Sequence, residues 1–173
     1  MKIVDCTFDR HAAAILAILN DAIVHSTALY DYVPRPPESM VGWFQAKRER
    51  GWPVLGAEDE DGTLLGFASY GSFRAWPAYK YTVEHAIYVH REHRRAGVAR
   101  VLMQQLTERA RGQDVHVMVG AIDMDNQASI ALHEALGFQH AGVLRQTGFK
   151  FNRWLDLGFW QKVLETPGQP RDG

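Results

Sequence analysis

The sequence predicts a mixed α/β domain, with helices packed on a sheet of parallel and antiparallel strands. Three observations support this. Strand-like and helical patterns follow one another in the order β-α-α-β-β-β-α-β-α-β-β. Asp61-Gly62 stands between two apolar runs as a hairpin turn signal. The apolar triplet Ile87-Tyr88-Val89 runs into a basic loop containing Gly97, and that loop opens directly into a helical pattern.

Residues 2–8 read as a first short strand. Residues 10–26 follow as an amphipathic helix, because Ala12, Ile15, Leu16, Leu19 and Ile23 recur on one face. Residues 27–37 contain Pro36-Pro37 and form a loop that carries Tyr30 and Tyr32. Residues 38–50 are helical in pattern, with Ser39 placed to cap the start and Gly51 to stop the end. Residues 54–57 and 64–70 flank the Asp61-Gly62 turn. After an irregular aromatic stretch, 71–80, a strand runs over 81–89, and the helix beyond the basic loop reaches about Arg111. Residues 115–122 form another strand. Asp125 or Asn126 then caps a helix ending at Leu136-Gly137, and residues 141–151 and 154–163 supply the last two strands. Residues 1–165 contain neither a repeat nor a dividing linker and read as one domain; the polar Pro/Gly tail, 166–173, is expected to fray.

Composition narrows the function classes. With 46% hydrophobic and 23% charged residues, the chain has an ordinary globular balance. A formal net charge of −1 leaves no global basic field for nucleic acid or an acidic membrane, so the basic loop is a local device. Cys6 is the only cysteine, which excludes an internal disulfide and a cysteine-rich metal site. The eight histidines show no ligand spacing, so no metal is expected. The longest apolar run, 12–19, is too short to cross a bilayer, and Asp5, Asp9 and Arg10 interrupt any leader-like segment. The expectation is a cytoplasmic protein.

The junction at 87–102 points to chemistry. A strand that empties into a helix N-terminus presents free backbone N–H groups at the positive end of the helix dipole, a natural site for phosphate. Gly97 lets the main chain approach an anion closely, and Arg91, Arg94, Arg95 and Arg100 add positive charge. A P-loop would need Gly-Lys-Ser/Thr, which is absent. A dinucleotide fold would need three spaced glycines and an acidic residue about twenty positions on, where Val117 and Met118 stand instead.

The remaining pattern is Arg94-Arg95-Ala96-Gly97-Val98-Ala99, which resembles the acyl-coenzyme A loop of the GNAT N-acetyltransferases. Asn126-Gln127-Ala128-Ser129 through His133 to Leu136-Gly137-Phe138 resembles that family's second coenzyme-binding helix and the strand entry after it. Thr82-Val83-Glu84-His85 with Tyr88-Val89, and the late segment Gly148-Phe149-Lys150-Phe151-Asn152-Arg153-Trp154-Leu155-Asp156, resemble one branch, the phosphinothricin and methionine sulfoximine acetyltransferases. The resemblance covers residues 1–163. It implies about seven strands, four helices and a central parallel pair that splays. It also implies acetyl-CoA as co-substrate, a homodimer, and acetylation of the α-amine of a small amino acid analogue.

The resemblance assigns roles residue by residue. Coenzyme contacts fall to Ile87, Tyr88, Val89, Arg94, Arg95, Ala96, Gly97, Val98, Ala99 and Arg100, and on the second helix to Asn126, Ser129 and His133. The N–H of Val89 would polarise the thioester carbonyl. Glu84 is the candidate general base: glutamate is unusual in a strand interior, and burial among Tyr81, Val83, Ile87 and Val89 would raise its pKa. The competing reading is a solvated face residue. His133 stands where many relatives carry a tyrosine thought to protonate the leaving thiolate, yet a lone helix histidine is more often a packing residue. Asn126 is either a pantetheine donor, a helix cap, or both. His85 points away from Glu84 and reads as structural. The aromatic, cationic stretch with Arg74, Pro77, Ala78, Tyr79 and Lys80 suits an acceptor's carboxylate or tetrahedral head group, with Tyr30, Lys150 and Trp154 as further pocket candidates or rim and dimer contacts. Acetylation of another amine (a protein N-terminus, a polyamine) and acyl-CoA sensing without turnover remain the alternatives.

Overall fold

The seven strands and four helices expected from the sequence all form, and the differences lie at their ends. A computed structural model describes residues 1–172. In chain order the elements are β1 (Lys2–Asp5), α1 (Phe8–His25), α2 (Ser39–Glu49), β2 (Val54–Glu58), β3 (Leu64–Ser72), β4 (Thr82–Val89), α3 (Val98–Gly112), β5 (Val117–Asp123), α4 (Gln127–Ala135), β6 (Gln139–Lys150) and β7 (Arg153–Val163), with short 3-10 turns at Pro77–Tyr79 and Arg91–His93. The strands hydrogen-bond in the order β1-β2-β3-β4-β5-β7-β6. The chain gathers into two compact units, Met1–Ser69 with Ala86–Leu106, and Tyr70–His85 with the chain from Thr107 onward.

In the first unit, β1 pairs antiparallel with β2, and β2 with β3. All five residues of β2 are buried: Val54–Ala57 form a continuous apolar run rather than an alternating one, and the Glu58 carboxylate is met by His11 Nε2 at 2.9 Å. The apolar stripe of α1 meets this sheet through Ala12, Ile15, Ile18 and Leu19, joined by Met40, Val54, Leu64 and Phe67 in one cluster. The first strand stops at Asp5 rather than residue 8, and α1 starts at Phe8 rather than residue 10. Its rungs end where Cys6 N–H bonds Val54 O at 2.8 Å; Thr7 is extended, and its N–H is taken by His11 Nδ1 at 2.9 Å, which holds the turn into the helix. Ser39 does not cap α2: it is the first helical residue, and its hydroxyl donates back to Pro36 O at 2.6 Å. The β2–β3 connection is longer than a two-residue turn, because the Asp59 carboxylate accepts the N–H groups of Asp61 and Thr63 at 3.0 and 2.8 Å.

In the second unit, β5 pairs antiparallel with β7 along its whole length, and β7 with β6. Val83, Met118, Phe138, Leu155 and Trp160 are buried here. The β4–β5 pairing is parallel and covers only Thr82↔Val117, Val83↔Met118 and Glu84↔Val119. Both strands run on past that register, to Val89 and Asp123. The parallel pair expected from the sequence is therefore present. Residues 166–172 form no helix or strand; Thr166 Oγ1 donates to Val115 O at 2.5 Å, His116 Nδ1 donates to Thr166 O at 2.9 Å, and Arg171 N–H bonds Tyr81 Oη at 3.1 Å.

Candidate functional site

The basic loop follows β4 without a break. Its start is held by His90 N–H, which bonds Leu65 O at 2.8 Å. Beneath the strand end lies Gly66, where an added Cβ would stand 2.8 Å from Tyr88 O and 3.1 Å from the Val89 Cα. Only glycine allows that approach. Within the loop, Arg95 (φ 64°) and Gly97 (φ 78°) both take left-handed backbone, on either side of Ala96. Alternating handedness turns successive N–H groups toward one side, the arrangement that receives anions. A Cβ on Gly97 would meet no protein atom within 4 Å, so the space over the loop is open. α3 begins at Val98, a buried residue that plants the helix, and its first-turn amides have no intrahelical acceptor. The pattern fits a diphosphate. Of the four arginines expected to surround it, Arg91 and Arg94 lean on the Asp21 carboxylate of α1, at 3.3 and 4.0 Å. The side chain of Tyr88 is turned into the core against Phe67, with ring centroids 5.5 Å apart.

Glu84 occupies the last position of β4 that is paired with β5. Its carboxylate is 38% exposed and faces Arg74 Nη1 at 3.8 Å. Burial raises its pKa above the ordinary carboxylate value, and the Arg74 charge opposes that rise. The expected elevation is therefore present, with a cation that moderates it. Arg74 is itself stacked over Phe73 at 4.2 Å, and Phe73 meets Tyr79 edge-on at 5.6 Å. Pro77, Ala78 and Tyr79 form the 3-10 turn, while Lys80 extends over the Tyr81 ring at 5.1 Å. The stretch 73–80 is thus a largely exposed aromatic and cationic surface on the same unit as Glu84.

His85 and His133 form a buried pair. Their Nε2 atoms lie 2.8 Å apart with the rings stacked at 5.0 Å, and His133 Nδ1 donates to Ser129 O at 2.7 Å. Burial, and after it the neighbouring His133, holds His85 down at about 3; burial also lowers His133. Both are neutral near pH 7. A depressed folded-state pKa means that the unfolded chain binds more protons between pH 6.5 and about 3. The pair's contribution is therefore complete above about pH 6.5 and is lost as pH falls through that window. Acid titration of unfolding free energy should show this loss, and His85→Leu should flatten the curve between those limits. Both ring nitrogens of His133 are engaged in this arrangement, Nε2 with His85 and Nδ1 with Ser129.

Asn126 does cap α4, its Oδ1 accepting Ser129 N–H at 3.1 Å. Lys150 is buried, with Nζ 5.1 Å from the Phe151 ring, whereas Trp154 is 59% exposed and packs on Phe149. Tyr30 is half-buried in the first unit. The partnership of His85 with His133, the close approach at Gly66 and the Asp21 counter-charge escape sequence reading. Glycines within apolar strands, Gly66 and Gly120 among them, give the one prior signal of close contact. No helix among the described residues is long and apolar enough to cross a membrane.

The family model described as Acetyltransferase (GNAT) family matches residues 19–138. The chain is 46% identical over 151 residues to an L-methionine sulfoximine/L-methionine sulfone acetyltransferase of Pseudomonas paraeruginosa, covering 87% of this chain and 88% of the relative. It is 36% identical over 159 residues to a phosphinothricin N-acetyltransferase of Streptomyces viridochromogenes, covering 92% and 86% respectively. Among solved structures, a GNAT superfamily phosphinothricin acetyltransferase from Sinorhizobium meliloti in complex with acetyl-CoA superposes with a TM-score of 0.93 at 32% identity, covering 98% of this chain and 91% of that one.

Proposed function

The chain belongs to the GNAT acetyltransferase family, and from that premise we propose that it transfers the acetyl group of acetyl-CoA to the α-amine of a small amino acid analogue of the methionine sulfoximine, methionine sulfone or phosphinothricin type. The observation that carries the reading is the single strand β4, which holds a carboxylate of raised pKa at the end of its pairing with β5 and runs directly into an open, left-handed anion loop. The main-chain amides of residues 94–99 hold the pyrophosphate, and Arg95 and Arg100 add charge. Asn126 and Ser129 hydrogen-bond the pantetheine arm. The Val89 N–H polarises the thioester carbonyl. Glu84 takes the proton from the acceptor amine, whose nitrogen attacks the carbonyl carbon as the C–S bond breaks. With His133 engaged, solvent returns the proton to the departing thiolate. Arg74 and Lys80 take the acceptor's carboxylate or its tetrahedral head group. Cys6 is no rival nucleophile, because burial and then the Glu58 and Asp5 charges push its thiol up to about 12.

Acetylation removes the analogue's charged amine, so the reaction would disarm a toxic amino acid mimic. We take the enzyme as a cytoplasmic homodimer. Exposed Leu144, Phe151 and Trp154 on the β6–β7 hairpin favour pairing, and the single-cysteine composition agrees with a reducing compartment.

The test is thiol release from acetyl-CoA with methionine sulfoximine, methionine sulfone, phosphinothricin, spermidine and peptides. Release is expected with at least one of the first three. Release with only spermidine or peptides would move the acceptor class, and binding without release on any amine would mark a sensor. Gly97→Val forces a β-branched residue into φ 78°. With left-handed backbone costing about 1–2 kcal/mol, the Kd for acetyl-CoA should rise about tenfold or more by calorimetry; an unchanged Kd would remove the loop as the phosphate site.

A further inference from the structure

We propose that His85 is a positioning residue for the transfer reaction: by donating one N–H to His133 it fixes that ring's tautomer and, through it, the first turn of α4. The kinetic consequence rests on the acetyltransferase reading; the tautomers do not.

The assignment follows from counting ring hydrogens. A carbonyl oxygen can only accept, so His133 Nδ1, 2.7 Å from Ser129 O, carries the hydrogen of that ring. The Ser129 hydroxyl, at 3.4 Å from the same nitrogen, is the weaker contact and does not alter this. His133 Nε2 is then a bare lone pair. The atom facing it at 2.8 Å is His85 Nε2, which must bring the hydrogen. His85 Nδ1 is left bare: it is buried and makes no hydrogen bond, and the Val119 carbonyl beside the ring, which works against the lowering of the His85 pKa, is the one competitor for that hydrogen. Two neutral rings thus have one arrangement that satisfies both contacts.

The surroundings hold that arrangement. Phe138 packs against both rings, at 5.2 Å from His85 and 5.1 Å from His133. Gly120 leaves room where a Cβ would stand 2.9 Å from His133 Nε2. The bond spans two pieces of the candidate machinery. His85 follows Glu84 on β4, while Ser129, whose carbonyl receives the His133 hydrogen, is the residue capped by Asn126. A single N–H···N contact therefore ties the residue beside the base to the turn that carries Asn126 and Ser129. His133 has both nitrogens engaged, and the bare His85 Nδ1 carries no hydrogen to give, which makes the pair a tether and not a proton donor.

The experiment is nitrogen-15 NMR of histidine-labelled protein near neutral pH, with the His133 resonances assigned from a His133→Gln variant. The expected result is a neutral Nδ1–H ring for His133, the less common tautomer of free histidine, and a neutral Nε2–H ring for His85. An Nε2–H ring at His133 would overturn the proposal, whether or not the protein acetylates any amine. Kinetics then separate positioning from mere packing. His85→Gln keeps a side-chain N–H donor and should stay within about threefold of the parent KM for acetyl-CoA, while His85→Phe, which keeps the ring but not the donor, should raise that KM about tenfold with a smaller change in kcat. A folded His85→Phe protein with unaltered His133 tautomer and unaltered KM would also overturn it. Should His85→Phe fail to fold, the tautomers of the parent protein still decide.

Discussion

Replacing Glu84 with glutamine is expected to lower kcat about 100- to 10,000-fold, the usual span for a positioned acid–base group, and to leave the Kd for acetyl-CoA within about twofold. Glutamine preserves the shape of the side chain and its place at the end of the β4–β5 register, so the loss reports proton transfer and not folding. The pH profile makes the assignment specific. Burial raises the Glu84 pKa, and only the ionised carboxylate accepts a proton, so kcat/KM should fall as pH drops through that raised value. The acid limb should therefore lie above the ordinary carboxylate value of 4.5 and disappear in the glutamine variant. Arg74 supplies the sign check. Its guanidinium, 3.8 Å from the carboxylate, pulls the pKa down against burial; Arg74→Gln should shift the limb to higher pH. A profile unmoved by both substitutions would remove Glu84 as the base.

The parts of this site that were legible in the sequence are local ones. A strand, a glycine-containing basic loop and a helix start follow one another within 87–102, so pattern and spacing carry the whole junction. Glu84 stood out because a glutamate among Tyr81, Val83, Ile87 and Val89 breaks the composition of a strand. The direction of the loop's side chains was not legible. Arg91 and Arg94 supply the expected charge, but Asp21, some seventy residues earlier, draws them toward α1. His85 and His133 are 48 positions apart, and a contact between two isolated side chains leaves no period to detect. Element ends shifted for the same reason. The start of α1 is set by His11 reaching back to Thr7, a side-chain contact that overrides the apolar period used to place it.

Gly120→Ala should cost about 2–4 kcal/mol in unfolding free energy, combining an overpacked core with a broken buried hydrogen bond. Gly120 lies within β5, opposite Trp160 of β7, in a position buried by its neighbours. Its backbone is not left-handed, so alanine brings no conformational strain and the whole effect falls on what the methyl meets. The new Cβ would stand 2.9 Å from His133 Nε2 and 3.0 Å from His85 Cε1, the two ends of the tether. One ring must move, and the 2.8 Å bond between them goes with it. Gly97 offers the opposite case, with strained backbone but open space, so substitution there should impair ligand binding more than folding. The diagnostic measurement for Gly120 is a double-mutant cycle. His133→Ala removes the imidazole and opens the space the methyl needs, so adding Gly120→Ala to it should cost at least about 1 kcal/mol less than adding it to the parent. Strict additivity in denaturant unfolding would show that the methyl is resisted by β5 and β7 themselves, and that the histidine pair is not what demands a glycine there.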